Sequence, residues 1–121
     1  MGKSILVVDD SPTMRQMVSF TLRGAGFEVT EAQHGQEALS KIEGRQVDLI
    51  VTDLNMPVMD GIEFIRAART HAATRFVPIL MLTTESQPEK KMAGKAAGAT
   101  GWIVKPFDPS KFLAVITKIL Q

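Results

Sequence analysis

The sequence predicts an α/β fold in which a doubly wound, five-stranded parallel sheet lies between five helices. Short, almost wholly apolar runs recur five times along the 121 residues. Each is followed by a segment whose apolar residues repeat at helical spacing. Strands that are apolar at every position belong to a sheet covered on both faces, and strands alternating with helices make that sheet parallel.

The first strand is Ile5 to Val8. Ser11 can cap the helix that follows, with Pro12 in its first turn, where a missing N–H costs nothing. Met14, Met17, Val18, Thr21, Leu22 and Ala25 continue it at helical spacing, and Gly24 and Gly26 close it. Phe27 to Ala32 is the second strand, with Val29 as its inward anchor. A helix from Gln36 to Glu43 carries Ala38, Leu39 and Ile42 on one face and stops at Gly44. Val47 to Thr52 is the third strand, followed by a turn from Asp53 to Gly61 and a helix bearing Ile62, Ile65 and Ala68. Val77 to Leu82 is the fourth strand, with Pro78 at a tolerated position near its start. Pro88 opens a helix that ends near Gly98, and Gly101 to Val104 is the fifth strand. Asp108-Pro109 repeats the cap-plus-proline start, and Phe112, Leu113, Ile116, Ile119 and Leu120 give the last helix its apolar face.

The length fits one domain with a core that needs no disulfide or structural zinc. With no Cys, thiolate metal sites and cysteine nucleophiles are excluded. A net charge of +1, one Trp and no Tyr speak against a nucleic-acid module. The apolar run after Ser4 is too short for a signal or a membrane span, so a soluble, cytoplasmic chain is expected. Leu6 stands where a myristoylation motif needs Ser or Thr, and Gly2-Lys3-Ser4 lacks the strand and glycine of a P-loop. His34 and His71 show no ligand spacing, and the seven Met read as core filler.

In a parallel sheet the strand ends share one edge, and there the functional groups gather. Asp9 and Asp10 follow the first strand, Asp53 the third, Thr83 the fourth and Lys105 the fifth. Alone, each has an ordinary reading: Asp9 or Asp10 a helix cap, Asp53 a turn residue, Thr83 strand filler, Lys105 a solvated loop charge. Together on one edge they make a site. Two carboxylates about 4 Å apart repel by about 4 kcal/mol at an effective dielectric near 20, so one is protonated or a cation sits among them. Hard oxygen donors with room for water suit Mg²⁺.

Four motifs carry a resemblance: Val8-Asp9-Asp10-Ser11, the run Asp53 to Gly61, Leu82-Thr83-Thr84-Glu85, and Val104-Lys105-Pro106-Phe107. In this order and spacing the chain resembles the receiver domain of two-component response regulators, of the stand-alone chemotaxis (CheY) type, from Ile5 to Leu120. The resemblance implies a flavodoxin-like strand order of 2-1-3-4-5 and one receiver domain over residues 1–121. It makes Asp53 the phosphoacceptor, with Mg²⁺ on Asp10, Asp53 and the backbone carbonyl of Asn55, and on Asp9 through water. Lys105 pairs with the phosphoryl group, and Lys105-Pro106 is a cis peptide. Thr83 follows the phosphoryl oxygens inward, and Trp102 swings from an outward to an inward rotamer. Trp102 stands where Tyr or Phe is usual, and its larger indole strains the fit of the inward pocket. Asn55 and Glu85 flank the hydrolytic water and tune dephosphorylation, so the chain catalyses its own phosphorylation and dephosphorylation without being a conventional enzyme. The implied partners of this monomer are a sensor histidine kinase, the flagellar motor switch protein or another target protein, and a phosphatase. No nucleic acid or membrane is expected among them.

A phosphorelay intermediate or phosphate sink shares this chemistry and differs in output, and a receiver excised from a longer regulator would look the same. A flavodoxin-type electron carrier shares the topology but needs a phosphate loop where Asp9 and Asp10 stand. An aspartate-nucleophile phosphatase carries its nucleophile after the first strand and needs a cap domain. The +1 balance also divides: residues 1–85 hold 8 Lys+Arg and 11 Asp+Glu, and residues 86–121 hold 6 Lys and 2 acids. Lys90, Lys91, Lys95, Lys111 and Lys118 surround Trp102 in the second group, and an acidic partner segment is expected there. Five βα units use all 121 residues, so output is expected through a protein contact.

Overall fold

The computed structural model describes residues 2–121. Ten elements alternate along the chain: β1 (Ser4–Val8), α1 (Pro12–Gly24), β2 (Glu28–Ala32), α2 (Gly35–Ile42), β3 (Leu49–Thr52), α3 (Gly61–Thr70), β4 (Ile79–Thr83), α4 (Pro88–Ala97), β5 (Gly101–Val104) and α5 (Pro109–Leu120). The five strands form one sheet in the order β2-β1-β3-β4-β5, and every pairing is parallel. This is the flavodoxin-like order.

Successive strand residues point to opposite faces, and both faces are covered. Ile5, Val7, Leu49, Val51, Leu80 and Leu82 pack with Val18 and Leu22 of α1 and Phe112 and Ile116 of α5. Leu6, Val8, Ile50, Ile79 and Met81 pack on the other face with Ala38 and Ile42 of α2 and Phe64, Ile65 and Ala68 of α3. Ala93 and Ala97 bring α4 against that second cluster. Each fully buried Leu, Ile, Val or Phe contributes about 1.5–3 kcal/mol, so the sheet is a rigid platform for whatever its ends carry.

The helix starts follow their capping chemistry. Ser11 Oγ accepts from Met14 N–H with Pro12 at the first helical position, and Asp108 accepts from Ser110 and Lys111 N–H ahead of Pro109. Asp60 and Glu63 make a reciprocal capping box on α3. Among the described residues, no helix is long and apolar enough to cross a membrane.

Two expectations need correction. Met17, expected as core filler in the helically spaced series of α1, is 51% exposed; the buried stripe narrows to Val18, Ser19 and Leu22, with Met14 half-buried. The third strand starts at Leu49 rather than Val47; Asp48 before it ties to the start of β1, its carboxylate accepting from Ser4 N–H at 2.7 Å and its N–H donating to Ser4 O. His34, which shows no ligand spacing, has a structural role: its Nδ1 accepts from Glu37 N–H and caps α2.

Candidate functional site

Register fixes what meets at the carboxyl edge. Val8 pairs with Thr52 and Thr83 with Val104, so Asp9, Asp53 and Lys105 each stand just past the ends of paired strands. The ladder continues into them: Asp9 N–H donates to Ala32 O, Asp53 N–H to Val8 O and Lys105 N–H to Thr83 O. Their backbones are therefore as fixed as the sheet.

Lys105 Nζ bridges two carboxylates, at 2.9 Å from Asp9 Oδ2 and 3.2 Å from Asp53 Oδ2. The remaining oxygen of each is held by a main-chain donor, Asp9 Oδ1 by Ser11 N–H and Asp53 Oδ1 by Leu54 N–H. Asp9 and Asp53 are buried and Asp10 is exposed, yet carboxylate oxygens of all three lie within 4.8 Å of one another. Three carboxylates against one ammonium leave a formal charge of −2. Burial raises the Asp9 carboxyl above its usual value of 3.8 and the Asp53 charge adds to this, while the Lys105 and Ser11 hydrogen bonds pull it back only partly. Burial works against the Lys105 ammonium, but its hydrogen bond to Asp9 and the charges of Asp53 and Asp9 outweigh it and raise its pKa. A divalent cation matches both the charge deficit and the all-oxygen donor set, and Asp10 supplies a carboxylate that accepts no hydrogen bond among the described residues.

The loop beyond Asp53 folds back tightly. Gly61 N–H donates to Leu54 O at 2.8 Å, and a Cβ on Gly61 would lie 2.3 Å from Asp53 O. Gly61 therefore keeps the Asp53 backbone in place, a role its sequence position among turn residues did not distinguish.

The structure brings Asp9, Asp10, Asp53 and Lys105 into one cluster and sets the other expected residues around it. The Lys105 side chain, only 8% exposed, is not a solvated loop charge, and the Lys105-Pro106 peptide is cis. Thr83 is buried, and its hydroxyl accepts from Glu85 N–H at 3.3 Å rather than joining the carboxylates. Trp102 is half-buried with its indole N–H donating to Glu85 O at 2.9 Å. The indole fits because Gly94 of α4 lies beneath it: a Cβ there would approach Trp102 Cζ3 to 2.7 Å. Asn55 is exposed, and the Glu85 carboxylate accepts from Gln87 N–H; neither side chain bonds the cluster.

The response regulator receiver domain family model matches residues 5–117. The chain belongs to that family. It is a receiver domain of a phosphorylation-dependent two-component switch, of the CheY-like kind. The chemotaxis protein CheY1 of Helicobacter pylori is 40% identical over 107 residues, covering 87% of this chain and 86% of CheY1. The crystal structure of chemotaxis protein CheY4 of Vibrio cholerae is 52% identical, with a TM-score of 0.95 over 99% of this chain and 100% of that one. The receiver domain of the sensor histidine kinase PA1611 of Pseudomonas aeruginosa, solved with a magnesium ion coordinated in its active site cleft, is 28% identical with a TM-score of 0.91 over 99% of this chain and 98% of that one. The chain spans about half the length of the phosphate-regulon transcriptional regulators it also matches.

Proposed function

We propose that the chain is one receiver domain over residues 1–121 that accepts a phosphoryl group on Asp53 from the phosphohistidine of a sensor histidine kinase, and that its phosphorylated form carries a chemotactic signal in the cytoplasm. The observation that carries this reading is the bridging of Asp9 and Asp53 by the buried Lys105 ammonium beside Asp10. An Asp53 carboxylate oxygen attacks phosphorus, the P–N bond to the donor imidazole breaks with its electron pair going to nitrogen, and the imidazole is reprotonated from solvent. Little covalent assistance is needed in such a transfer, so the protein's work is positioning and charge neutralisation. Asp10, Asp53 and the Asn55 carbonyl would hold Mg²⁺ directly and Asp9 through water; bound there, the ion offsets repulsion between the nucleophile and the phosphoryl oxygens. Lys105 neutralises the phosphoryl group from the β5 side, and the Lys105-Pro106 loop aims it. Asn55 and Glu85, on the rim, tune hydrolysis of the acyl phosphate.

Phosphorylation adds negative charge and acceptor oxygens at Asp53. Thr83, released from Glu85 N–H, turns toward them. Glu85 also accepts from Trp102, so a shift in this loop reaches the indole and the α4–β5 surface. Lys90, Lys91, Lys95, Lys111 and Lys118 make the surface of α4, β5 and α5 basic, which suits an acidic segment of a target protein. Likeness to two chemotaxis proteins supports the flagellar motor switch as that target.

The deciding experiment is incubation with acetyl phosphate and Mg²⁺, followed by intact mass. One hydroxylamine-labile phosphoryl group is expected, absent in Asp53→Asn and absent with EDTA. Trp102 fluorescence should respond to the same additions. An adduct that persists in Asp53→Asn would overturn the assignment of the acceptor, and a silent Trp102 in a phosphorylated sample would overturn the switch.

A further inference from the structure

Arg15 stands in the first turns of α1, whose opening turn holds no acidic residue. A cation at the positive end of a helix is unfavourable, so its position calls for a compensating contact. That contact is with the site. Arg15 Nη1 donates to Asp9 O at 2.7 Å, while Nε donates to Glu31 Oε1 at 3.2 Å. Glu31 lies on β2 directly beside Val7 of β1, and its other oxygen accepts from Arg23 Nη1 at 3.3 Å. Arg23 in turn donates to Val29 O. The Arg15 side chain is only 14% exposed, so this is an inner contact and not a surface pair.

The oxygen that Arg15 grips belongs to the peptide joining Asp9 to Asp10. That peptide is planar, so holding its oxygen fixes the plane that carries the Asp9 carbonyl and the Asp10 N–Cα bond. Asp9 is independently held through its N–H on Ala32 O and its Oδ1 on Ser11 N–H. Asp10 has no such ties: it is exposed, and its carboxylate accepts no hydrogen bond among the described residues. The clamp on the shared peptide therefore constrains, together with the Ser11 N–H bond to Asp9, the backbone from which the Asp10 carboxylate reaches Asp9 and Asp53.

We propose that Arg15 is a positioning residue for the divalent-cation site, braced by Glu31 and acting through the Asp9–Asp10 peptide. The proposal rests on the reading that these carboxylates take Mg²⁺. It also makes an unusual prediction of sign. As a charge, Arg15 opposes a cation, so on electrostatics alone Arg15→Ala should bind Mg²⁺ more tightly. As a positioning residue its loss should weaken binding, by about 10-fold or more, as for other residues that orient metal ligands.

The test is calorimetric titration of the full chain with Mg²⁺ alone, at a temperature where circular dichroism shows each variant folded. Wild type is expected to bind, Arg15→Ala to bind about 10-fold more weakly, and Arg15→Lys, which keeps the charge but lacks the forked donor, to fall between them. Unchanged or tighter binding by Arg15→Ala would overturn the positioning role while leaving the Mg²⁺ reading intact. Wild type that binds no Mg²⁺ would overturn that reading, and the role with it. Should Arg15→Ala not fold, Glu31→Gln decides: it keeps an acceptor for Arg15 but loses the charge that braces it, and undiminished Mg²⁺ affinity in that variant would overturn the proposal.

Discussion

Lys105, just beyond β5, and Arg69, at the opposite end of the sheet, are both cations drawn into the fold, yet the groups around them differ in kind. Lys105 meets two buried carboxylates with a third beside them, leaving negative charge unbalanced. Among the described residues Arg69 donates only to main-chain carbonyls, those of Gly98, Thr74, Arg75 and Val77, and burial lowers its pKa. One end of the sheet holds open charge that a ligand can complete; the other satisfies Arg69 from within the chain. The backbone shows the same division. Gly26, Gly44 and Gly98, with φ of 94°, 72° and 118°, end helices at the closed end. The one non-glycine residue with positive φ among those described is Val58, at 70°, in the loop that leaves the charged end. The strained residue lies in the loop that leaves the carboxylate cluster, whereas the turns at the other end use glycine.

Replacing the two cations should separate these ends most sharply. Lys105→Ala strands buried carboxylates, so a loss of about 3–5 kcal/mol is expected in urea unfolding, with Mg²⁺ restoring much of it. Arg69→Ala leaves carbonyls short of donors, and the expected loss is about 1–3 kcal/mol with no change on adding Mg²⁺. Equal dependence on Mg²⁺ in the two variants would erase the distinction.

A pH series sharpens it further. Burial raises the folded Asp9 carboxyl above 3.8, so its contribution to stability is present below that value and is lost as pH rises through the folded pKa. Without metal, Asp9→Asn should therefore become more stable than wild type as pH climbs from that region to neutrality. A gap that narrows with rising pH would contradict the burial of the charge.

The smallest expected effect concerns strain. Val58 is 78% exposed and sits in a one-residue turn closed by Met59 N–H on Pro57 O. Val58→Gly should raise stability by about 1 kcal/mol, measured by thermal unfolding, because an exposed valine has little packing to lose.

The strands and the residues at their ends were legible because both depend on local pattern: apolar runs, then Asp, Thr or Lys at the step where the sheet stops. What escaped the sequence depends on partners that carry no sequence signal. Arg15 and Arg69 act on carbonyl oxygens, which every residue possesses, and Gly98 is 29 positions from Arg69. The Asp60–Glu63 capping box is written in the sequence, but its cap Asp60 falls within the run Asp53 to Gly61 that reads as turn. His34 was missed because an imidazole nitrogen is an uncommon helix cap, and Met17 was misplaced because α1 offers two overlapping apolar stripes of which only one meets the sheet.

The notch at Gly94 has a consequence for modularity. With an indole ring where a methyl group would stand, α4 and β5 are a matched pair, as a key is to its ward. A graft that brings in α4 from another receiver with Ala at this position would arrive already jammed against Trp102. The two segments would have to be exchanged together, or the tryptophan trimmed at the same time.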